Sequence, residues 1–159
     1  MSSRLLLDTN ALFWALRDPD RLDPTARAAI ESPTSSVYAT LASAQEFAIK
    51  IAAKKWPEAL PVLARFEALI LEAGFGLIVP TAVDHLNMTR LPDVGEHRDP
   101  FDRLIVAMAI ARGLVLVSSD GNAQNYAVEW LRAGSGEADA RRGRERIMPA
   151  EPLTPIALD

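Results

Sequence analysis

The side chains in this sequence that could do chemistry are carboxylates. Asp8 closes the apolar run Leu5-Leu6-Leu7. Glu46 sits in SAQEFAIK, Asp102 in HRDPFDRLIVAMA, and Asp120 ends LVLVSSD. Cysteine is absent, and the two histidines, His85 and His97, have no ligand spacing between them, so zinc is a poor fit. No Ser-His-Asp order is recognisable either. If the four acids converge, the physics is demanding. Two like charges about 4 Å apart repel by about 4 kcal/mol at an effective dielectric near 20. Such a group needs proton uptake or a cation. An oxygen-only donor set selects hard ions such as Mg²⁺ or Mn²⁺. A carboxylate-held ion of that kind suits phosphoryl chemistry.

Each acid also has a plainer reading. Asp8 could be a turn or cap residue. Glu46 and Lys50 are spaced i, i+4, the arrangement of a surface helix ion pair. Against this, Glu46 lies among Ala42, Phe47, Ala48 and Ile49. Asp99, directly before Pro100, reads as a helix N-cap. That role fits Asp99 better than Asp102, which opens a helix apolar nearly all round and therefore buried. A buried carboxylate needs hydrogen bonds, a charge partner or a metal. Met108 in that helix reads as core.

The elements that must position these acids follow from local pattern. Residues 4–8 read as a short buried strand and 10–17 as a buried helix. Asp23-Pro24 opens a helix through Ile30. Val37-Tyr38-Ala39 is β-prone and leads into a helix from Leu41 to Lys54. A further helix is expected from Pro61 to Gly74, then a strand at Leu77-Ile78-Val79. Thr81 to Asp84 resembles a capping box with Asp in place of Glu. Asp99-Pro100 starts a helix to Arg112, closed by Gly113. Strands follow at Leu114–Val117 and at Tyr126–Leu131. Strands alternating with helices imply an α/β fold with a mostly parallel sheet. In such sheets ligands bind outside the carboxyl ends of the strands, where Asp8 and Asp120 both fall.

The chain has 159 residues, a length suited to one domain with a substantial core. Its net charge is −4, with a pI near 5.2. Binding nucleic acid by bulk charge calls for a basic protein, so any such binding must come from a local basic patch or a bound metal. No stretch reads as a signal peptide or a membrane span, and the expectation is a soluble, cytoplasmic protein. Residues 132–159, rich in Gly, Pro and charge, read as a tail, flexible or ordered by a partner. Arg141, Arg142, Arg144 and Arg146 make a basic run within it.

Taken together, LLLDTN, SAQEFAIK, HRDPFDRLIVAMA and LVLVSSD resemble the PIN domain, and within it the VapC-type ribonuclease toxins. The likeness spans residues 4–131, and HRDPFDRL with its apolar helix is the most specific part. It implies a three-layer α/β/α domain over residues 1–131. Residue by residue, Asp8, Glu46, Asp102 and Asp120 match the four family acids. Thr9 and Asn10 match the polar pair after the first acid. Ser118 matches the small hydroxyl residue before the fourth, which implies an outer-sphere orienting role, and Asp99 is an additional acid that could act as an outer-sphere ligand. Gln45 departs from the Trp often found before the second acid, and Asn10 from the His often found at its position. Neither change removes an acid.

The resemblance implies a Mg²⁺- or Mn²⁺-dependent endoribonuclease. By that resemblance Asp8, Asp102 and Asp120 would hold the metal, and Glu46 would complete its shell or orient the attacking water. It also implies a homodimer held inactive by a cognate antitoxin. Lys50, Lys54, Lys55, Arg98 and Arg103 are candidate contacts to RNA phosphates, against a plain reading as solvated charges. Phe13 and Trp14 read as core, and Trp56 as the aromatic more open to a partner. Two alternatives stay open: a PIN nuclease outside toxin–antitoxin biology, and a non-catalytic PIN-like binding module.

Overall fold

The computed structural model describes residues 2–95 and 99–134. Arg98 and the tail from residue 135 lie outside the described residues. Five strands form one sheet: β1 (Arg4–Leu7), β2 (Ser36–Thr40), β3 (Gly76–Ile78), β4 (Val115–Ser118) and β5 (Trp130–Arg132). Their order is β3-β2-β1-β4-β5 and every pairing is parallel. Leu5 pairs with Val37 on one side and Val115 on the other.

This topology explains the leucine run. Successive strand residues point to opposite faces, and a parallel sheet buries both. Leu5 and Leu7 enter one core with Val37, Ala39 and Val117. Leu6 enters the other with Leu116. The first core is covered by α1 (Thr9–Arg17), α2 (Pro24–Glu31), α4 (Leu60–Ala64) and α5 (Phe66–Glu72), and by Phe47 of α3 (Leu41–Ala52). The second is covered mainly by α7 (Pro100–Arg112), with α6 (Ala82–Thr89) packed beside it. The result is the expected three-layer α/β/α fold. Among the described residues no helix is long and apolar enough to cross a membrane.

Several local expectations shift. The helix expected over 61–74 is two helices, broken at Arg65, whose backbone (φ −124°, ψ 26°) is not helical. The break lets Val62 on α4 and Phe66 and Ile70 on α5 all reach the core. The helix expected to run to Lys54 stops at Ala52, because Lys54 takes a left-handed conformation (φ 58°) that reverses the chain. That reversal brings Trp56 onto Phe13 and Phe47, with ring centroids 5.0 and 5.2 Å apart. Trp56 is therefore core packing rather than the open aromatic expected, since such ring pairs favour burial.

The last strand starts at Trp130, not Tyr126. Asp120 caps a short 3₁₀ turn over Gly121–Asn125, and pairing resumes only beyond it. The packed body also runs past residue 131: Arg132 ends β5, and Ala133 is fully buried, with its carbonyl accepting from the Asp23 amide. Met108 is fully buried in the second core, as expected.

Candidate active site

The strand order reverses between β1 and β4, which makes their carboxyl ends the topological switch point of the sheet, the usual ligand crevice in open α/β folds. Asp8 directly follows β1 and is 5% exposed. Its two oxygens have separate duties. Oδ1 accepts from the Ala11 amide at 2.8 Å, capping α1. Oδ2 accepts from Ser118 Oγ at 2.6 Å. The cap reading of Asp8 holds through Oδ1, while Oδ2 faces the end of β4. Ser118 in turn accepts from the Asp120 amide at 3.0 Å, so one hydroxyl ties the ends of both strands together. Asp8, Asp102, Ser118 and Asp120 line one small cleft, floored by Ile105 and Leu116.

Glu46 arrives from α3, whose N-terminus Thr40 caps directly off β2. It is 3% exposed, so the surface-pair reading had the right partner in the wrong place. Lys50 Nζ does lie 3.1 Å from Glu46 Oε1, but the carboxylate is buried. Glu46 Oε2 has no hydrogen-bond partner among the described residues. Asp99 caps α7 as expected, accepting from the Phe101 and Asp102 amides. It also does more. One carboxylate oxygen from each of Glu46, Asp99 and Asp102 lies within 4.8 Å of the others. Asp102 therefore feels the charges of four other acids, Asp8, Asp99, Glu46 and Asp120.

Electrostatics follows from this crowding. Burial, then the charges of Asp8, Asp99, Glu46 and Asp120, push the Asp102 carboxyl up to about 8. Burial pushes Asp8 up to about 6, against the hydrogen bonds from Ser118 and Ala11. Oxygen donors of like charge, with one buried oxygen of Glu46 unpartnered among the described residues, fit a hard divalent cation. Among the described residues no sulfur or imidazole joins the group.

The other expected residues divide. Thr9 does not reach Asp8. Its hydroxyl bonds Ser43 at 3.0 Å, a buried link between α1 and α3. Asn10 Nδ2 donates to Ser119 Oγ at 3.3 Å beside the cleft. Arg103 donates to the Pro92 carbonyl and the Tyr126 hydroxyl. Lys54 and Lys55 are exposed. The sequence reading missed Ser43, whose only signal is a small hydroxyl residue in the first turn of α3. It also missed Arg112, which grips Asp84 through two bonds of 2.7 and 2.9 Å.

A parallel α/β domain with acids gathered at its switch point defines the class. The family model of the PIN domain matches residues 5–129, and the chain belongs to the PIN domain family. Among solved structures the fold is similar to VapBC2 from Rickettsia felis, bound to a DNA fragment from its promoter. That likeness has 14% identity over 80% of this chain and 97% of the other, with a TM-score of 0.57. FitAcB from Neisseria gonorrhoeae shares 22% identity over 80% of this chain and 96% of its own, at a TM-score of 0.50. At these identities the likeness is one of fold. Among curated proteins no sequence matches the chain.

Proposed function

We propose that this chain is a Mg²⁺- or Mn²⁺-dependent endoribonuclease and the toxin member of a type II toxin–antitoxin pair. The observation that carries the nuclease reading is the acidic group centred on Asp102, with the buried, unpartnered Oε2 of Glu46 beside it. Membership of the PIN family and the VapC-like motifs support it. Fold neighbours named VapBC2 and FitAcB support the toxin reading.

Asp102, with Asp8, Asp120 and Glu46, would hold the ion. When bound, such an ion supplies a Lewis acid that activates water and neutralises phosphate charge. The chain's own groups prepare the site. Ser118 fixes the orientation of Asp8, as hydroxyl partners of ligating carboxylates do. Asp99 holds the first turn of α7, so the Asp102 side chain projects from a fixed helix end. Ile105 and Leu116 give the cleft an apolar lining beside the acids. RNA phosphates have Lys54 and Lys55 as exposed cations near the end of α3. The cognate antitoxin and a second copy of the chain are the expected partners.

The test is incubation of purified protein with a mixed tRNA and rRNA pool, with Mg²⁺ or Mn²⁺ and with chelator, beside Asp8→Asn. Discrete metal-dependent fragments, absent in the variant, are expected. Absence of cleavage together with Mn²⁺ binding that does not depend on Asp8 overturns the catalytic reading in favour of a binding module.

A further inference from the structure

Lys50 is held in place by more than its pairing with Glu46. Its ammonium lies 5.6 Å from the centroid of the Trp56 ring, within range of a cation–π contact. Trp56 is there because the chain doubles back at the end of α3. Lys54 takes the left-handed conformation that L residues seldom adopt, and the Lys55 and Trp56 amides both donate to the Lys50 carbonyl, at 2.9 and 3.3 Å. Trp56 is itself pinned by Phe13 and Phe47. The helix end is thus shaped to set a cation against Glu46, a member of the acidic triplet. Among the described residues only one oxygen is taken. Oε1 faces Lys50 and Oε2 is left over.

We propose that Lys50 is an internal counter-ion of the acidic site, neutralising Glu46 when no divalent cation is bound and opposing the entry of one. The inference rests on the reading that these acids hold a metal. Two effects act with the same sign. An ammonium beside Glu46 repels an incoming divalent cation. It also relieves the buried carboxylate in the metal-free protein, which lowers the gain on binding metal. Removing the ammonium reverses both. The Lys50 side chain is 36% exposed, so solvent screens part of the effect and the change is moderate. Lys50 is in this account a positioning and tuning residue, not a catalytic one.

The experiment is Mn²⁺ titration followed by the electron paramagnetic resonance of the free ion, at one mildly alkaline pH. The proteins are the wild type, Lys50→Met, Lys50→Arg and Asp8→Asn. Methionine keeps an unbranched stem over Trp56 and loses the charge; arginine keeps the charge. Lys50→Met should bind Mn²⁺ about tenfold tighter than wild type, equivalent to about 1.4 kcal/mol. Lys50→Arg should stay close to wild type. The rise in melting temperature on adding Mn²⁺ should grow in Lys50→Met by the same linkage. Equal or weaker binding by a folded Lys50→Met, with wild-type binding that depends on Asp8, overturns this inference alone. Failure of the wild type to bind Mn²⁺ through Asp8 overturns the metal-site reading, and this inference with it.

Discussion

At its C-terminal end α7 offers Arg112 to Asp84 of α6, and at its N-terminal end it offers Asp102 to four other acids. Both carboxylates are withdrawn from solvent, yet they titrate in opposite directions. Arg112 holds Asp84 down at about 2, with the Thr81 amide and hydroxyl adding further bonds. Burial and neighbouring acids hold Asp102 up at about 8. The first arrangement is what a fold does to keep a buried charge stable. The second costs stability, and it persists at the switch point of the sheet, where ligands bind. One helix therefore carries a paired carboxylate at one end and a crowded group of acids at the other.

The sharpest way to break this contrast is Asp102→Asn. Near neutral pH the folded chain binds a proton at Asp102 that the unfolded chain, with a value near 3.9, does not. Stability therefore falls as pH rises from about 4 to about 8, by up to about 1.4 kcal/mol per pH unit from this group. Asparagine removes that slope. The variant should lose metal-dependent cleavage altogether, yet gain about 2 kcal/mol of stability near neutral pH in the presence of chelator. Urea unfolding from about pH 5 to about pH 8 checks the gain and the flattened slope. A variant less stable than wild type across that range would mean that Asp102 is held like Asp84, and the contrast would fail.

Asp84→Asn should act with the opposite sign. It leaves Arg112 without its carboxylate, and breaking a buried pair costs about 3 kcal/mol or more. Arg112 is 27% exposed, which reduces the expected loss to about 2 kcal/mol. Because the folded value is depressed, this contribution is fully present above about pH 4 and is lost as pH falls toward 2. The difference between wild type and variant should accordingly shrink in acid. Urea midpoints at neutral pH and near pH 3 decide it. Cleavage per folded molecule should be unchanged, which separates the two ends of α7 by function as well as by charge.

How much of this was legible in the sequence varies with the range of the interaction. The leucine run and the β-prone stretches gave the sheet, because burial on both faces leaves a continuous apolar signature. The gathering of Asp8, Asp102 and Asp120 was legible because strand ends and a helix start are positions that topology brings to one edge, whereas Glu46 was reached only through the family resemblance. Local rules also found the caps at Asp99 and Thr81, which involve residues two or three apart. What stayed hidden depends on contacts across the fold. Arg112 is 28 residues from Asp84, and Ser43 is 34 from Thr9. The burial of Glu46 was hidden because an i, i+4 pair looks the same on a surface and in a core. The packing of Trp56 was hidden because it hangs on one left-handed residue, Lys54, which is not a glycine.

The finest adjustment at the acidic end is the hydroxyl of Ser118, and it yields the smallest expected effect. Its bond to Asp8 is the strongest of the influences that lower the Asp8 carboxyl, working against burial. Ser118→Ala removes that bond and also the acceptor for the Asp120 amide. Asp8 should then rise above about 6 and hold its proton further into the neutral range. A divalent cation must displace that proton, so apparent Mn²⁺ affinity at neutral pH should fall, by about tenfold at the low end of outer-shell effects. The loss should close as pH rises, because above both values the carboxylate is ionised in either protein. A loss of equal size at every pH would instead trace it to the orientation of Asp8. No loss at any pH would remove Ser118 from the tuning of Asp8.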